Sequence, residues 1–120
     1  MVELDAHGLN KKIGFNVLSE KEMRAIGFTD AREEDWYYCR YVDSERDITM
    51  DVTIPKDSNK DEFRIDVLDE NFLQPYDFQR VLIENSEHEY ACEVRDNVEK
   101  EMKYLKDAGV ITGHEFGEYI

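Results

Sequence analysis

The strongest constraint on the fold is an alternation of apolar and polar residues in the middle of the chain. From residue 48 to residue 54, apolar and polar residues take turns: Ile48, Thr49, Met50, Asp51, Val52, Thr53 and Ile54. Residues 63–67 repeat this pattern, and residues 36–42 are rich in aromatic side chains that favour strands. Alternation places one face of each strand on the core and the other in water, which is typical of an antiparallel sheet. Because the connections over 43–47 and 56–62 are short and polar, we expect hairpins to join the strands in a meander.

Shorter signals predict helices on either side of this meander. Ser19 and Glu22 have the spacing of a capping box, and Gly27 supplies a left-handed residue, so we expect a short helix over 20–26. Beyond the strands, Pro75 suits the first turn of a second helix, which we expect to end near Asn85.

A long amphipathic helix is predicted in the last third of the chain. Ser86 and Glu89 form a second capping box, and Gly109 closes the helix. The apolar residues between them recur at helical spacing, as on a face that packs against a core: Ala91, Val94, Val98, Met102 and Leu105. Residues 111–120 are partly apolar, so we expect this tail to dock. The whole pattern predicts an α+β fold, a three-stranded antiparallel β-meander packed against C-terminal helices, with a short N-terminal helix.

The composition fits one domain over residues 1–120. A chain of 120 residues with 41% hydrophobic residues can bury a core without metal or disulfide staples. Residues 1–18 carry no clean period. Cys39 and Cys92 sit inside apolar patterns, so we expect both to be reduced and half-buried. The sequence shows no secretion signal and no apolar run of membrane-span length, which favours a cytoplasmic protein.

Acidity is the unusual feature of the composition. The chain has 29 Asp and Glu residues against 15 Lys and Arg, a net charge of −14, and the acids are spread along the chain. Such a field repels nucleic acid and anionic membranes, because both are bound through Lys and Arg. It favours a basic protein partner, or it serves only solubility, which is the simpler interpretation for a small acidic domain.

The sequence contains no complete set of metal ligands. Residues 57–61 begin like a calcium loop, but Glu62 stands where the tight turn needs glycine, and Leu68 stands where the bidentate Glu should be. A polar hairpin turn is therefore the prediction for this segment. His88 and Cys92 offer two ligands, and a zinc site needs more. We accordingly expect no metal and no cofactor.

The histidines do not assemble a catalytic motif either. His7, His88 and His114 lie in three different segments of the chain. His114 beside Glu115 could act as an oriented base, but a surface histidine in a glycine turn is the simpler interpretation. No serine lies in a nucleophile elbow, and no glycine-rich phosphate loop is present. We therefore assign no catalytic residue from the sequence.

The candidate binding residues lie at the predicted junction between the third strand and the second helix. Phe72, Leu73, Tyr76 and Phe78 stand there among acidic residues. Aromatic side chains at such a junction either plug the end of the sheet or form a recognition surface. The plug is the favoured interpretation, because a small domain needs those side chains for its core. If the junction binds a partner, the residues expected to do so are Asp69, Glu70, Phe72, Tyr76 and Asp77.

Two segments of the chain resemble small acidic proteins encoded by phages and prophages of Gram-positive bacteria. They cover residues 65–79 and residues 98–120, which end in Gly-His-Glu-Phe-Gly-Glu-Tyr-Ile. The similarity extends from about Ser19 to the C-terminus, so the resemblance implies that residues 1–18 are an N-terminal extension. The resemblance implies a phage context and hence the cytoplasm of a bacterial host. It carries over no catalytic or binding residue.

Three classes of function remain open at this point. The leading hypothesis is a non-enzymatic phage accessory protein that binds a basic protein through its acidic surface, for example by mimicking the charge of nucleic acid. The first alternative is a small enzyme that uses carboxylates or His114. The second is a structural subunit that works as an oligomer, which would need an exposed apolar patch.

Overall fold

Ten elements of secondary structure lie within residues 2–3, 12–30, 34–57 and 63–112, which the computed structural model describes. In chain order they are β1 (Val2–Glu3), β2 (Lys12–Phe15), α1 (Glu20–Ile26), β3 (Asp35–Asp43), β4 (Ile48–Pro55), β5 (Arg64–Asp69), β6 (Gln74–Pro75), α2 (Phe78–Glu84), α3 (Glu89–Asp107) and β7 (Ile111–Thr112). None of the helices among these residues is both long and apolar enough to cross a membrane.

The main sheet is antiparallel, with its strands in the order β3, β4, β5, β6. The first three strands form the predicted meander, and Val52 of β4 lies between Tyr38 of β3 and Ile65 of β5. The predicted inward face is confirmed, since Met50, Val52 and Ile54 are all 0% exposed. The fourth strand, β6, was not predicted, because a strand of 2 residues carries no periodic signal.

Helix α3 packs against the inner face of this sheet. The residues of its predicted apolar face are fully buried: Ala91, Val94, Val98, Met102 and Leu105. The Tyr38 hydroxyl donates a hydrogen bond to Glu101 at 2.5 Å, and the Tyr104 hydroxyl donates one to the carbonyl of Ile26 at 2.6 Å. These bonds connect α3 to β3 and to α1, and the predicted α+β fold is confirmed.

Helix α1 begins and ends where the sequence predicts. Ser19 is the N-cap, and its hydroxyl oxygen accepts a hydrogen bond from the backbone N–H of Glu22 at 3.2 Å. The Glu22 carboxylate accepts a hydrogen bond from the Ser19 hydroxyl at 2.8 Å. Gly27 ends the helix with a φ of 123°, and a Cβ at this position would lie 2.3 Å from Nη2 of Arg40.

The residues from Lys12 to Phe15, before α1, pair with the C-terminal part of the described chain. Strand β2 pairs with β1 and with β7, which follows the long helix, so a second antiparallel sheet joins the two ends of the described chain. The backbone N–H of Asn16 donates to the carbonyl of Val110 at 2.8 Å. Ile111 in β7 is 1% exposed, as the predicted docking of the tail requires, whereas residues 113–120 lie outside the described residues.

The starts of α2 and α3 differ from the prediction. Pro75 lies in β6 and not in the first turn of α2, which begins after its N-cap, Asp77. The predicted capping box at Ser86 is wrong, because the N-cap of α3 is His88. The Nδ1 atom of His88 accepts a hydrogen bond from the backbone N–H of Ala91 at 3.3 Å, which is the role expected of the serine.

The other face of the main sheet is less exposed than the alternation predicts. Thr49, Asp51 and Thr53 are only 3%, 9% and 6% exposed, although they were expected to face water. They belong to β4, and the side chains of β3 and β5 flank them on both sides. Cys39 in β3 is exposed and not half-buried, whereas Cys92 is half-buried as predicted, and both are free thiols.

Candidate binding site

The strand-to-helix junction is joined to the loop between β3 and β4. The backbone N–H of Glu70 donates to the carbonyl of Asp47 at 3.0 Å. The side-chain amide of Asn71 donates to the carbonyl of Arg46 at 3.3 Å. These bonds hold the turn over 70–73 against the loop over 44–47, so residues that are distant in sequence form one surface.

The turn after β5 presents two large apolar side chains to solvent. Asp69 Oδ1 accepts hydrogen bonds from the backbone N–H groups of Asn71 at 3.0 Å and Phe72 at 3.4 Å, which closes the turn. Leu73 then adopts a left-handed conformation with a φ of 52°, which is costly for a residue with a bulky side chain. Phe72 is 72% exposed and Leu73 is 85% exposed, so these two side chains do not plug the sheet.

Beside this turn lies a cavity of about 500 Å³, which we call the junction pocket. Its walls come from the β3–β4 loop, the turn after β5 and the starts of α2 and α3. Its lining residues are Glu45, Arg46, Ile48, Asp69, Asn71, Phe72, Tyr76, Val81, His88 and Tyr90.

Arg46, one of these lining residues, contacts two carboxylates and an aromatic ring. Its guanidinium Nη1 lies 2.7 Å from Oδ2 of Asp43 and 3.8 Å from Oε2 of Glu93. Its Cζ lies 3.2 Å from the ring centroid of Tyr90, a cation–π contact. The hydrogen bond to Asp43 raises the pKa of Arg46 further above its already high ordinary value, so the side chain stays charged.

Two other lining residues are oriented by the surrounding fold. His88 uses Nδ1 to cap α3, and its ring lies edge-on to Tyr90 with the centroids 5.6 Å apart. Tyr76 is half-buried against the core, and its backbone N–H donates to the carbonyl of Val67 at 2.9 Å. Burial, followed by the nearby charge of Asp43, raises the pKa of Tyr76, so its hydroxyl remains protonated at neutral pH.

The structure brings some of the predicted binding residues together and separates others. Asp69, Phe72 and Tyr76 line the junction pocket. Glu70 lies outside this lining, and its carboxylate accepts a hydrogen bond from the Thr49 hydroxyl at 2.8 Å. Asp77 also lies outside it, because its side chain caps α2 by accepting from the N–H of Arg80. The other aromatic of the junction, Phe78, is 3% exposed and belongs to the core.

Sequence reasoning missed several residues of this site. Arg46 and Glu45 come from a hairpin loop whose position beside the junction depends on the pairing of β4 with β5. Tyr90 carried a usable signal in the sequence, because it is a large aromatic residue that stands outside the apolar face of the predicted helix. His88 was considered only as a metal ligand, because Ser86 nearby carries the usual N-cap signal and histidine is not among the preferred N-cap residues.

The described residues contain no cluster of three or more His, Cys, Asp or Glu side chains that could hold a metal ion. The segment considered as a calcium loop lies largely outside the described residues, since the structure stops at Asp57 and resumes at Phe63. His7 and His114 also lie outside them, so the proposal of His114 as a base stays a prediction.

Comparison with known proteins yields a likeness in fold. No protein family profile matches the chain, and no curated protein sequence is similar to it. A crystal structure of a DUF1831 family protein from Lactobacillus plantarum superposes with a TM-score of 0.68 and 16% sequence identity, covering 92% of this chain and 92% of that chain. At this level of identity the likeness shows the α+β fold alone.

Proposed function

We propose that this protein is a non-enzymatic interaction protein that binds a basic segment of another protein at the junction pocket. The observation that carries the proposal is the pair of exposed side chains, Phe72 and Leu73, which are 72% and 85% exposed beside a cavity of about 500 Å³. Adjacent apolar side chains that are held in solvent next to a pocket are typical of interface anchors.

The charge around the pocket supports a basic partner. Glu45 and Asp69 belong to its wall, and Glu93 lies within 3.8 Å of Arg46. Arg46 carries the fixed positive charge among the described lining residues, and its ion pairs with Asp43 and Glu93 offset that charge. The whole chain has a net charge of −14, which would steer a basic segment toward it and repel nucleic acid.

The polar groups of the pocket favour binding over catalysis. The Nδ1 atom of His88 is engaged with an amide of α3, Oδ1 of Asp69 with the amides of its own turn, and the guanidinium of Arg46 with carboxylates. A general acid or base needs a lone pair or proton that is free to reach the substrate. Nδ1 of His88, Oδ1 of Asp69 and the guanidinium of Arg46 instead hold part of the fold in place.

The strained backbone of the turn supports the same function. A left-handed Leu73 costs about 1–2 kcal/mol relative to a right-handed conformation. Strain of this kind is retained where the local conformation serves a function.

We propose, on the sequence resemblance alone, that the protein is a phage accessory factor in the cytoplasm of a bacterial host. Charge mimicry of nucleic acid is the most specific form of this proposal.

The proposal is tested with a fluorescein-labelled peptide of alternating Lys and Leu, whose binding is followed by fluorescence anisotropy at several salt concentrations. We expect binding that weakens as salt rises, because exposed charges are screened. Exchange of Phe72 and Leu73 for serine removes the anchors and should abolish binding. Exchange of Glu45 and Glu93 for glutamine should weaken it by roughly five- to tenfold, at about 0.5 kcal/mol or more per charge.

The matched control is a variant in which Glu20 and Asp107 become Gln and Asn. Both are exposed acids in surface ion pairs, and the exchange changes the net charge by the same amount as the exchange of Glu45 and Glu93. Asp107 ends α3, roughly 25 Å along the helix from Tyr90. Equal weakening in the two charge variants would show that only total charge matters and would contradict a site at the pocket. Binding of the peptide by the serine variant would also contradict the site. The same holds if sedimentation shows that the unaltered protein is a dimer and the serine variant is a monomer, because Phe72 and Leu73 would then form a dimer interface.

A further inference from the structure

The junction pocket contains two side-chain hydrogen-bond donors that no other part of the described chain uses. One belongs to His88, the N-cap of α3, and the other belongs to Tyr76, which lies between β6 and α2. Both residues line the pocket, so a segment bound there can reach them. The two donors therefore restrict the kind of segment that the pocket takes.

The cap of α3 determines which nitrogen of His88 carries a proton. The backbone N–H of Ala91 donates a hydrogen bond to Nδ1 at 3.3 Å, so Nδ1 presents its lone pair. An imidazole whose Nδ1 is an acceptor is neutral and carries its proton on Nε2. Nε2 makes no hydrogen bond with another described residue, and the ring lies edge-on to Tyr90. The Nε2–H group is thus a donor that has no acceptor in the described part of the chain.

The hydroxyl of Tyr76 is the second donor. Burial raises the pKa of Tyr76, so the hydroxyl keeps its proton at neutral pH. The side chain packs against the core, and the backbone N–H is bonded to the carbonyl of Val67, so the residue is held in place. Among the described residues, the hydroxyl has no hydrogen-bond partner. A protonated hydroxyl on a held ring is a positioned donor for a ligand.

The acceptor on the ligand has to be uncharged. Glu45 and Asp69 belong to the same lining and the chain has a net charge of −14, so a carboxylate or phosphate on the ligand is repelled. The neutral acceptor that every protein segment carries is the backbone carbonyl, which accepts from both N–H and O–H groups. Helices use these carbonyls internally except in their last turn, so free carbonyls along a segment require an extended conformation.

We propose that the junction pocket binds its basic segment in an extended conformation, with Nε2–H of His88 and the hydroxyl of Tyr76 donating hydrogen bonds to backbone carbonyls of that segment. This inference rests on the proposed function, because it describes how the same pocket holds the same class of partner. Phe72 and Leu73 contact the apolar side chains of the segment, whereas His88 and Tyr76 bind its backbone.

The same arrangement limits His88 to hydrogen bonding. Nδ1 uses its lone pair to accept from the amide of Ala91, so it does not receive a proton from a substrate. A neutral imidazole passes on its Nε2 proton in a reaction only if Nδ1 takes up another. His88 therefore positions a ligand and is not a general acid or base, which agrees with an interaction protein.

The test uses the labelled peptide of alternating Lys and Leu and two variants that each remove one donor. His88→Asn keeps a cap, because the asparagine oxygen accepts the same amide hydrogen bond, but it has no Nε2–H. Tyr76→Phe keeps the ring and loses only the hydroxyl. We expect each variant to bind the peptide roughly three- to tenfold more weakly, as for the loss of one hydrogen bond, with unchanged thermal unfolding. The matched control is Tyr41→Phe, which removes the hydroxyl of an exposed tyrosine outside the pocket lining and should bind as the unaltered protein does.

Nuclear magnetic resonance of the ¹⁵N-labelled protein detects the hydrogen bond of His88 directly. A histidine N–H proton that faces water exchanges rapidly, and a hydrogen bond in a covered site slows the exchange. We expect the Nε2–H resonance of His88 to sharpen when the peptide is added, while Nδ1 keeps the shift of an unprotonated nitrogen. A purely structural role of His88 as a helix cap would leave the Nε2–H resonance unchanged.

A second peptide tests the extended conformation, and the outcomes separate this inference from the proposed function. It has the same composition, but its Leu residues recur at helical spacing, and circular dichroism confirms that it is helical. We expect it to bind more weakly, and equal affinity for the two peptides would overturn the extended conformation. Unchanged binding of the alternating peptide in His88→Asn or in Tyr76→Phe would overturn the role of that residue and leave the proposed function intact. Absence of binding by the unaltered protein would overturn both.

Discussion

Replacement of Leu73 by asparagine should make the protein more stable and impair the proposed binding. A leucine in the left-handed region, here at a φ of 52°, costs about 1–2 kcal/mol, whereas asparagine tolerates that region. Because Leu73 is 85% exposed, the exchange gives up only about 0.2–0.5 kcal/mol of apolar burial. The net gain is therefore about 0.5–1.5 kcal/mol, which corresponds to a rise in Tm of roughly 2–6 °C for a chain of this size.

The measurement is thermal and urea unfolding followed by circular dichroism, with Ile83→Asn as the matched control. Ile83 is also a large exposed apolar residue, at 79%, but it lies in α2 with a right-handed backbone. Its exchange relieves no strain, and isoleucine and asparagine have similar helix propensities, so its stability should change by less than about 0.5 kcal/mol. A fall of 1 kcal/mol or more in the free energy of unfolding of Leu73→Asn would refute the reasoning. It would mean that Leu73 makes packing contacts whose stabilisation exceeds the cost of its backbone strain.

Two further predictions concern pH and the start of α3. Burial raises the pKa values of Tyr37 and Tyr38 above their ordinary 10.0, so both residues ionise more readily in the unfolded chain. Their contribution to the free energy of unfolding should therefore be fully present below pH 10 and fall as the pH rises above it. Urea unfolding between pH 9 and pH 11.5 checks this, and a profile that stays flat would speak against it. The exchange His88→Ala should cost about 1 kcal/mol through loss of the N-cap, and His88→Asp should restore it, because aspartate accepts the same amide hydrogen bond. Equal losses in the two variants in thermal melts would show that His88 acts through packing and not as a cap.

The residues of the candidate site illustrate how far sequence reasoning reaches. Phe72 and Tyr76 were recognisable because large aromatic residues stood among acids where a strand gives way to a helix. The two side chains differ in exposure, since Phe72 is exposed and Tyr76 is half-buried. The decision depends on the turn that Asp69 closes, and a turn of this kind has no period from which exposure could be read.

Local patterns in the sequence determined the elements that are regular over several residues. The face of β4 that contains Val52 and the face of α3 that contains Val98 were predicted correctly, because hydrophobic period and burial are directly coupled in a long regular element. The cap at Ser19 and the end of α1 at Gly27 were also determined locally, since each depends on a backbone conformation a few residues long.

Only the tertiary structure decided the contacts between distant segments. The pairing of β2 with β7 brings Phe15 against Ile111, and neither strand is long enough to carry an alternation of its own. The contact of Arg46 with Tyr90 likewise depends on how a hairpin loop meets the start of a helix. The burial of Asp51 depends on its place in the central strand, where neighbours on both sides cover a residue that alternation alone assigns to water. Such contacts arise from the packing of two segments that are distant in sequence. Their free energy depends on both segments together, so the hydrophobic pattern of either segment alone does not predict them.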